Sequence, residues 1–501
     1  METTAFQLNP RTADFVKSKT IKKLFIGGQF VEAASGKTFP TYNPANGEIL
    51  AYVSEGDQED INRAVAAARD AFEDGPWTRM QPQERARLIY TLADLIERDA
   101  DVFAEIETLD NGKPIREAKH ADVPLTIEHF RYYAGWATKI SGDVIPVNVP
   151  NMHNYVRREP IGVVGQIIPW NFPLMMAAWK LGAALATGCT VVLKPAEQTP
   201  LSALYLAKLI QEAGFPPGVV NIIPGFGETA GKALATHPDV DKVAFTGSTE
   251  VGKLIMGYAA DNLKRVSLEL GGKSPNIVFP DADFTRAVPG AMQAIFFNQG
   301  QVCSAGSRLY IHKSVYDNAL SDMVSYADKK VRQGHGLDPK TTMGPLVTGE
   351  QLNRVTSYIE KGIEQGAKVA TGGSRADGDL ANGYFVRPTV FYDVQDDMAI
   401  AQEEIFGPVV AAMPFDDIDD VIKRANLSTY GLAAGVWTQS MNTAFNVAHK
   451  LKAGSVWINC YNMFDAASPF GGYKQSGIGR EMGEYALENY TQIKSIWLNY
   501  N

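Results

Sequence analysis

Cysteine is scarce in this chain: 3 of 501 residues, at positions 189, 303 and 460. No two are spaced like metal ligands or like a disulfide framework, which suits a reducing compartment. Histidine is thin as well. The 7 histidines are scattered, and no pair has the His-x-x-x-His spacing of a zinc site, so no metal is expected. Basic residues are outnumbered, with 47 Lys and Arg against 56 Asp and Glu and a net charge of −9. A nucleic-acid partner would need a basic face, so none is expected. A membrane span would need about 20 uninterrupted apolar residues. The longest apolar stretch, 161–193, is broken by Pro169, Pro173, Lys180 and several glycines and reads as buried core. Residues 1–23 are polar and lack an apolar signal core. Secretion is therefore not expected, and a cytoplasmic protein is.

What is there is ordinary for a soluble globular protein, 45% hydrophobic and 21% charged. The chain is too long for one hydrophobic core and should hold two or three domains. Short strands and turns fill 24–54. Amphipathic helices are expected at 57–72, 81–99, 102–108 and 123–140. In the first, Ile61, Ala64, Val65 and Ala68 recur at helical spacing. Residues 143–158 are rich in valine and proline. They form either a surface hairpin or an edge that pairs elsewhere, another subunit included.

From residue 161, expected strands (163–168, 190–193, 219–223, 242–246, 265–270) alternate with helices (174–186, 201–213, 228–235, 251–260). That alternation indicates a doubly wound parallel sheet, which binds ligands beyond the carboxyl ends of its strands. A second α/β unit is expected from 276 to about 470, with helices at 284–296, 315–332 and 351–365 and a strand opening at 407–410. The tail, 490–500, is strand-like without a local partner.

One thiol is oddly placed. Cys303 lies in Phe297-Asn298-Gln299-Gly300-Gln301-Val302-Cys303-Ser304, a polar loop. Structural cysteines favour apolar runs, whereas reactive ones favour polar, partly exposed settings that lower their pKa. Two glycine turns could hold a nucleotide. The run 224–231, with Gly225, Gly227 and Gly231, follows a strand, but its last glycine is one position late for the dinucleotide fingerprint. The run 245–252 carries Gly247 and capping hydroxyls such as Ser248 into a helix start, where free N–H groups suit a pyrophosphate or simply cap a turn. Lys194 and Glu197 end a strand where a ribose would lie. Glu197 would accept from a free 2′-OH and repel a 2′-phosphate, favouring NAD; a solvated loop pair is the other reading. Glu269 ends an apolar strand before Gly271-Gly272, as a satisfied structural acid or a general base. The two glycines would let another group approach closely.

The conjunction decides. A thiol, a carboxylate and the amide of Asn171 fit acyl chemistry. Asn171 and the Cys303 N–H would hold an oxyanion. With a nicotinamide nearby, hydride leaves, a thioester remains, and Glu269 activates the water that releases an acid. No histidine lies near these motifs in sequence, which argues against a Cys-His hydrolase.

On the stretches 169–173, 193–200, 245–252, 268–274, 298–303, 403–408 and 469–479, the chain resembles the NAD(P)-dependent aldehyde dehydrogenase superfamily. The likeness runs over nearly the whole chain and looks nearest to bacterial phenylacetaldehyde dehydrogenases. It implies Cys303 as nucleophile, Glu269 as base and Asn171 as oxyanion holder. It implies NAD contacts from Ile167, Pro169, Trp170, Lys194, Glu197, Gly227, Gly231, Phe245, Gly247, Ser248, Leu270, Glu404 and Phe406. The resemblance also implies an aromatic, uncharged substrate tunnel from Phe172, Trp179, Phe297, Val302, Phe464 and Phe470, and proton relay through Lys180 and Glu481.

The family fold has an NAD-binding domain (here 1–140 and 159–271), a catalytic domain (272–470) and oligomerisation segments (141–158 and 485–501). It assembles as a homodimer or as a homotetramer built from dimers. Aromatic or medium-chain aldehydes are the expected substrates, with retinal-type and aliphatic ones as the alternative. A CoA-acylating enzyme is disfavoured by Glu269, and a non-catalytic binding protein by the intact motifs. Phe464 stands where betaine-aldehyde enzymes tend to carry tryptophan, which weighs against that cation.

Overall fold

A computed structural model describes residues 6–17 and 20–500. Residues 1–5 and 18–19, on which part of the secretion argument rests, lie outside the described residues, as does 501, the end of the 485–501 segment. Two large sheets organise the molecule.

The first sheet has a parallel core of five strands: Val163–Ile167, Thr190–Lys194, Val220–Ile222, Lys242–Thr246 and Arg265–Glu269. In chain order they stand 3-2-1-4-5 across the sheet. All but the start of the last are buried on both faces, which explains their near-continuous apolar sequences. Antiparallel strands close both edges: Leu24–Ile26 and Gln29–Val31 on one side, Gly477–Ile478 on the other. The order reverses between Val163–Ile167 and Lys242–Thr246, so a crevice opens beyond the carboxyl ends of those two strands. Asn171 and Gly247 leave the sheet there.

The second sheet has seven strands, in the order Lys368–Thr371, Thr389–Tyr392, Val409–Phe415, Arg308–His312, Pro275–Val278, Ala433–Trp437 and Ser455–Ile458. Its pairings are parallel except the first. The tail does have a partner, far away in sequence. Thr491–Asn499 pairs antiparallel with Met152–Pro160 over the register Thr491↔Pro160 to Asn499↔Met152. Val144–Ile145 adds a third strand. The valine- and proline-rich excursion is thus both a hairpin and a platform for the chain's end.

Three expectations shift. The helix expected at 228–235 opens with a wide π turn, Gly227–Gly231, and continues as Lys232–Thr236. The helix expected to reach residue 140 ends at Trp136. In the second unit, the helices Ile418–Asn426 and Met441–Lys450 went unread, being short and largely polar. Among the described residues no helix is long and apolar enough to cross a membrane. The apolar stretch 161–193 resolves into strand, helix and strand.

Two of the crossover helices lack side-chain caps of their own. Pro173–Thr187 and Leu201–Ala213 begin without one. Both are capped by a third helix, Ala100–Asn111. Glu107 Oε1 accepts from the Leu174 N–H (3.2 Å) and Asp110 Oδ2 from the Leu201 N–H (2.9 Å). A carboxylate at a helix N-terminus satisfies an orphan donor and opposes the positive end of the dipole.

Candidate active site

Cys303 follows the helix Phe284–Phe296 and a tight turn, Phe297–Gly300. Asn298, Gln299 and Gly300 are consecutive left-handed residues, with φ of 46°, 58° and 71°. A Cβ on Gly300 would stand 2.2 Å from the Gly407 carbonyl oxygen, so only glycine fits there. The loop is not exposed, although its polar residues suggested so. Asn298, Gln299 and Gln301 are fully buried. Their side chains replace water with protein partners: Asn298 Nδ2 donates to the Asn171 carbonyl (2.9 Å), Gln299 Oε1 accepts from Gly344 N–H (3.2 Å), and Gln301 Oε1 accepts from Val347 N–H (3.0 Å).

The thiol is half-buried at a cavity floor. Its pKa is raised, not lowered as its polar neighbours suggested. Burial is the main cause, followed by the charges of Glu404 and Glu269. A resting thiol here keeps its proton, and a base is required to remove it.

Glu269 ends its strand in the same cavity wall. It is 5% exposed and neither carboxyl oxygen has a partner. Burial, then repulsion from Glu481, raises its pKa well above the carboxylate range, while Lys180 pulls it down. Lys180 and Glu481 form a buried ion pair behind it, outside the cavity wall. Gly271 and Gly272 allow the close approach expected of them. A Cβ on Gly271 would meet Glu404 Oε2 at 2.2 Å, and one on Gly272 the Cys303 carbonyl at 2.4 Å. Asn171 also lines the cavity, one amide N–H donating to the Gln301 carbonyl at 2.9 Å.

The cavity measures about 930 Å³. On one side of Cys303 its wall is aromatic. Phe172 stacks on Phe297 (centroids 6.0 Å), and Trp179 packs against Phe464 (6.2 Å) and Phe470 (5.4 Å). Val302 and Ser304 flank the sulfur in the lining. Met175, Met176 and Met463 also line the cavity and were not anticipated, although the first two stand within four residues of Phe172. Asn462 and Tyr461 were missed as well. They anchor the residue after the thiol: Asn462 Oδ1 accepts from Ser304 Oγ (3.2 Å) and Tyr461 Oη donates to the Ser304 carbonyl (2.8 Å). One histidine does lie close in space. Buried His129 stacks on Trp179 at 6.4 Å, but it stands behind the wall, and burial pushes its pKa down to about 3.

On the other side the wall holds Pro169, Trp170, Gly247, Ser248, Leu270, Glu404 and Phe406. Trp170 and Phe406 meet edge to face at 5.2 Å, with Phe406 held at φ 60°. Glu404 Oε1 accepts from the Gly272 N–H (2.9 Å), and burial pushes its pKa up to about 7. Ser248 caps the helix Thr249–Ala259 by accepting from Val251 N–H (3.2 Å). A Cβ on Gly247 would strike the Phe245 ring at 2.4 Å.

Not every expected residue reaches the cavity. Ile167, Lys194, Glu197, Phe245, Gly227 and Gly231 lie outside its lining. Ile167 pairs in register with both Phe245 and Lys194 along the sheet. Lys194 Nζ donates to Glu197 Oε2 at 3.0 Å, and a Cβ on Gly231 would rest against Lys194. A Cβ on Gly227 would touch nothing within 4 Å. Gly225 is the glycine that its turn requires, since a Cβ there would lie 2.4 Å from the Gly56 carbonyl.

This donor set fits a dinucleotide. It offers free N–H groups at a helix start, the Thr246 hydroxyl buried in the wall without a partner, and a cation–carboxylate pair at the end of the strand two places along the sheet. Residues 30–496 match the family model of the aldehyde dehydrogenase family. The chain belongs to that family. DhaS of Bacillus subtilis, which bears an aldehyde dehydrogenase's name, is 60% identical over 499 residues, covering 100% of this chain and 99% of its own. A solved NAD+ complex of an aldehyde dehydrogenase from Bacillus cereus is 58% identical, with a TM-score of 0.96 and 99% of each chain covered. The mitochondrial benzaldehyde dehydrogenase of Antirrhinum majus is 55% identical over 475 residues, 95% of this chain and 87% of its own. The chain is an NAD-using aldehyde dehydrogenase.

Proposed function

We propose that this aldehyde dehydrogenase oxidises apolar aldehydes, aromatic or medium-chain and of phenylacetaldehyde type, to carboxylic acids with NAD. The observation that carries the reading is the cavity itself: an aromatic wall on one side of Cys303, an unpartnered buried carboxylate on Glu269 and a helix start on the other side. The Cys303 sulfur attacks the aldehyde carbon and gives up its proton to a base. Asn171 Nδ2 and the Cys303 N–H hold the oxyanion of the thiohemiacetal. Bound beside this carbon, NAD would supply the hydride acceptor. A thioester then remains on Cys303. Glu269 takes a proton from water, whose oxygen attacks the thioester; the C–S bond breaks and the acid leaves. Lys180 and Glu481 pass the proton from Glu269 onward.

Lys194 and Glu197 would hold the adenosine ribose, with Ile167, Phe245, Gly227 and Gly231 shaping that end. Gly247 and Ser248 take the pyrophosphate. Glu404, Phe406, Leu270, Pro169 and Trp170 would hold the nicotinamide riboside. The free thiols suit a cytoplasmic enzyme. Segments 141–158 and 485–501 would join subunits of a homodimer or homotetramer, with 1–140 plus 159–271 as the NAD domain and 272–470 as the catalytic domain.

A panel of phenylacetaldehyde, benzaldehyde, hexanal, retinal and betaine aldehyde, each with NAD and NADP, tests the reading. Phenylacetaldehyde with NAD should give the highest kcat/KM. Hexanal should fall about 10-fold to 100-fold lower, the usual worth of an apolar contact of this size. Aromatic faces also attract cations, so betaine aldehyde leading the panel would overturn the substrate class.

A further inference from the structure

Behind Asn171 lies a set of buried titratable groups that the chemistry above does not use. Glu107 and Asp110 come from the helix Ala100–Asn111, Lys113 from the turn after it, and Asp122 from the π turn Ala118–Asp122. All four are at most 2% exposed. Glu117, half-buried, joins them from the single turn Ile115–Glu117. Charges this deep are costly unless each finds a partner, so their partners show what they hold in place.

Lys113 Nζ donates to Asp122 Oδ2 and, at 3.1 Å, to the backbone carbonyl of Asn171. Glu107 Oε2 stands 3.7 Å from it, and the Phe172 ring centroid lies 4.4 Å away. An ammonium has three N–H groups; two are bonded here, to Asp122 and to the Asn171 carbonyl, and Glu107 stands within ion-pair distance. The Asn171 carbonyl accepts a second bond, from Asn298 Nδ2 at 2.9 Å. Asn298 belongs to the Cys303 loop, and its backbone N–H donates to Glu117 Oε2 at 3.0 Å. Asn111 Nδ2 holds the Trp170 carbonyl at 2.9 Å, and Glu107 Oε1 holds the Leu174 N–H at 3.2 Å. The segment bearing Asn171 is therefore pinned before, at and after that residue. The thiol loop is pinned to the same cluster.

We infer that Lys113 is a positioning residue for the oxyanion site: held by Asp122 and Glu107, it fixes the Asn171 carbonyl and the Phe172 ring and, through the carbonyl shared with Asn298, locks the Asn171 amide to the Cys303 loop. The inference rests on the reading of Asn171 as the oxyanion holder. Oxyanion donors act only when placed within tenths of an ångström, and a misplacement near 1 Å costs on the order of 100-fold in rate. One cation clamping the peptide between the donor residue and a tunnel aromatic would supply that precision.

Replacing Lys113 alone would strand two buried carboxyls, so the pair is replaced together, as Lys113→Met with Asp122→Asn. The whole enzyme is then compared with Asn298→Ala and Asn171→Ala by the pre-steady-state rate of NADH formation, KM for NAD, and melting temperature. The paired variant should fold, keep its KM for NAD and lose about 10-fold to 100-fold in the burst rate. Asn298→Ala should lose rate too. The two losses should combine to less than their product, because both changes release the same carbonyl. If Asn171→Ala slows the burst but the paired variant does not, Lys113 is merely structural and the inference falls. A lowered melting temperature with a normal burst rate has the same meaning. If Asn171→Ala itself leaves the burst unchanged, the oxyanion reading falls and takes the inference with it.

Discussion

At the scale of the residue, the proposed chemistry turns on the sulfur of Cys303. Cys303→Ala should abolish NADH formation while leaving the melting temperature unchanged, since the side chain is small and half-buried. Residual turnover in the purified variant would mean another nucleophile. Glu269→Gln should keep a burst of NADH but stall afterwards, because deacylation needs the carboxylate and hydride loss does not. Equal loss of burst and steady rate would place Glu269 in the first step instead. The raised Glu269 pKa sets the pH dependence. Only the ionised form takes a proton from water, so steady turnover should climb with pH through a value above the ordinary carboxylate range, and the Gln variant should lose that limb. Cys303, Glu269 and Asn171, which line one cavity, stood out in the sequence because each is out of place: a thiol in a polar run, an acid ending an apolar strand, an amide between prolines. The sign of the thiol's pKa shift was not legible. Polar residues in sequence suggest exposure, and nothing local reveals that Asn298, Gln299 and Gln301 turn inward to serve backbone groups brought in from elsewhere in the chain.

Elements show the same division between local and distant causes. The parallel strands and their crossover helices were readable because burial on both faces writes continuous apolar runs. The tail strand was readable as a strand, but its partner was not. Thr491 and Pro160 meet only after the whole molecule has closed. The caps of Pro173–Thr187 and Leu201–Ala213 were equally invisible, since they come from Glu107 and Asp110 rather than from residues preceding each helix. The cysteine turn offers a test at this scale. Gly300→Ala adds a Cβ to left-handed backbone, worth about 1–2 kcal/mol by itself, and drives it to 2.2 Å from the Gly407 carbonyl. The variant should melt at a lower temperature and lose activity as the thiol loop shifts. An unchanged melting temperature together with full activity would show that this turn relaxes freely and does not set the sulfur's position.

For the whole molecule, the buried acids predict an unusual stability profile. Burial pushes Glu107 up to about 7, Asp110 and Glu117 to about 8, and Glu404 to about 7. Unfolded, these groups titrate at their ordinary values, near 4. Between those limits the folded protein binds more protons than the unfolded chain, so raising the pH from about 5 to about 7 costs stability. Histidines work in the opposite direction. His129, pushed down to about 3, and the lowered His237 and His335 favour folding as the pH rises through the unfolded histidine value. They are three, set against these four acids and the raised Asp60, Asp122 and Glu269. Above neutrality the buried lysines take over. Lys242 and Lys273 are pushed down to about 7 and Lys264 to about 8, so the unfolded chain binds the extra protons there and stability climbs again toward the ordinary lysine range. Thermal unfolding of the NAD-free enzyme at about pH 5.5, 7 and 9 should therefore show its lowest midpoint near neutrality. Lys242→Met should blunt the alkaline rise alone. A midpoint that climbs steadily from about pH 5.5 to 7 would mean that these buried acids are ionised in the folded state and do not set the profile.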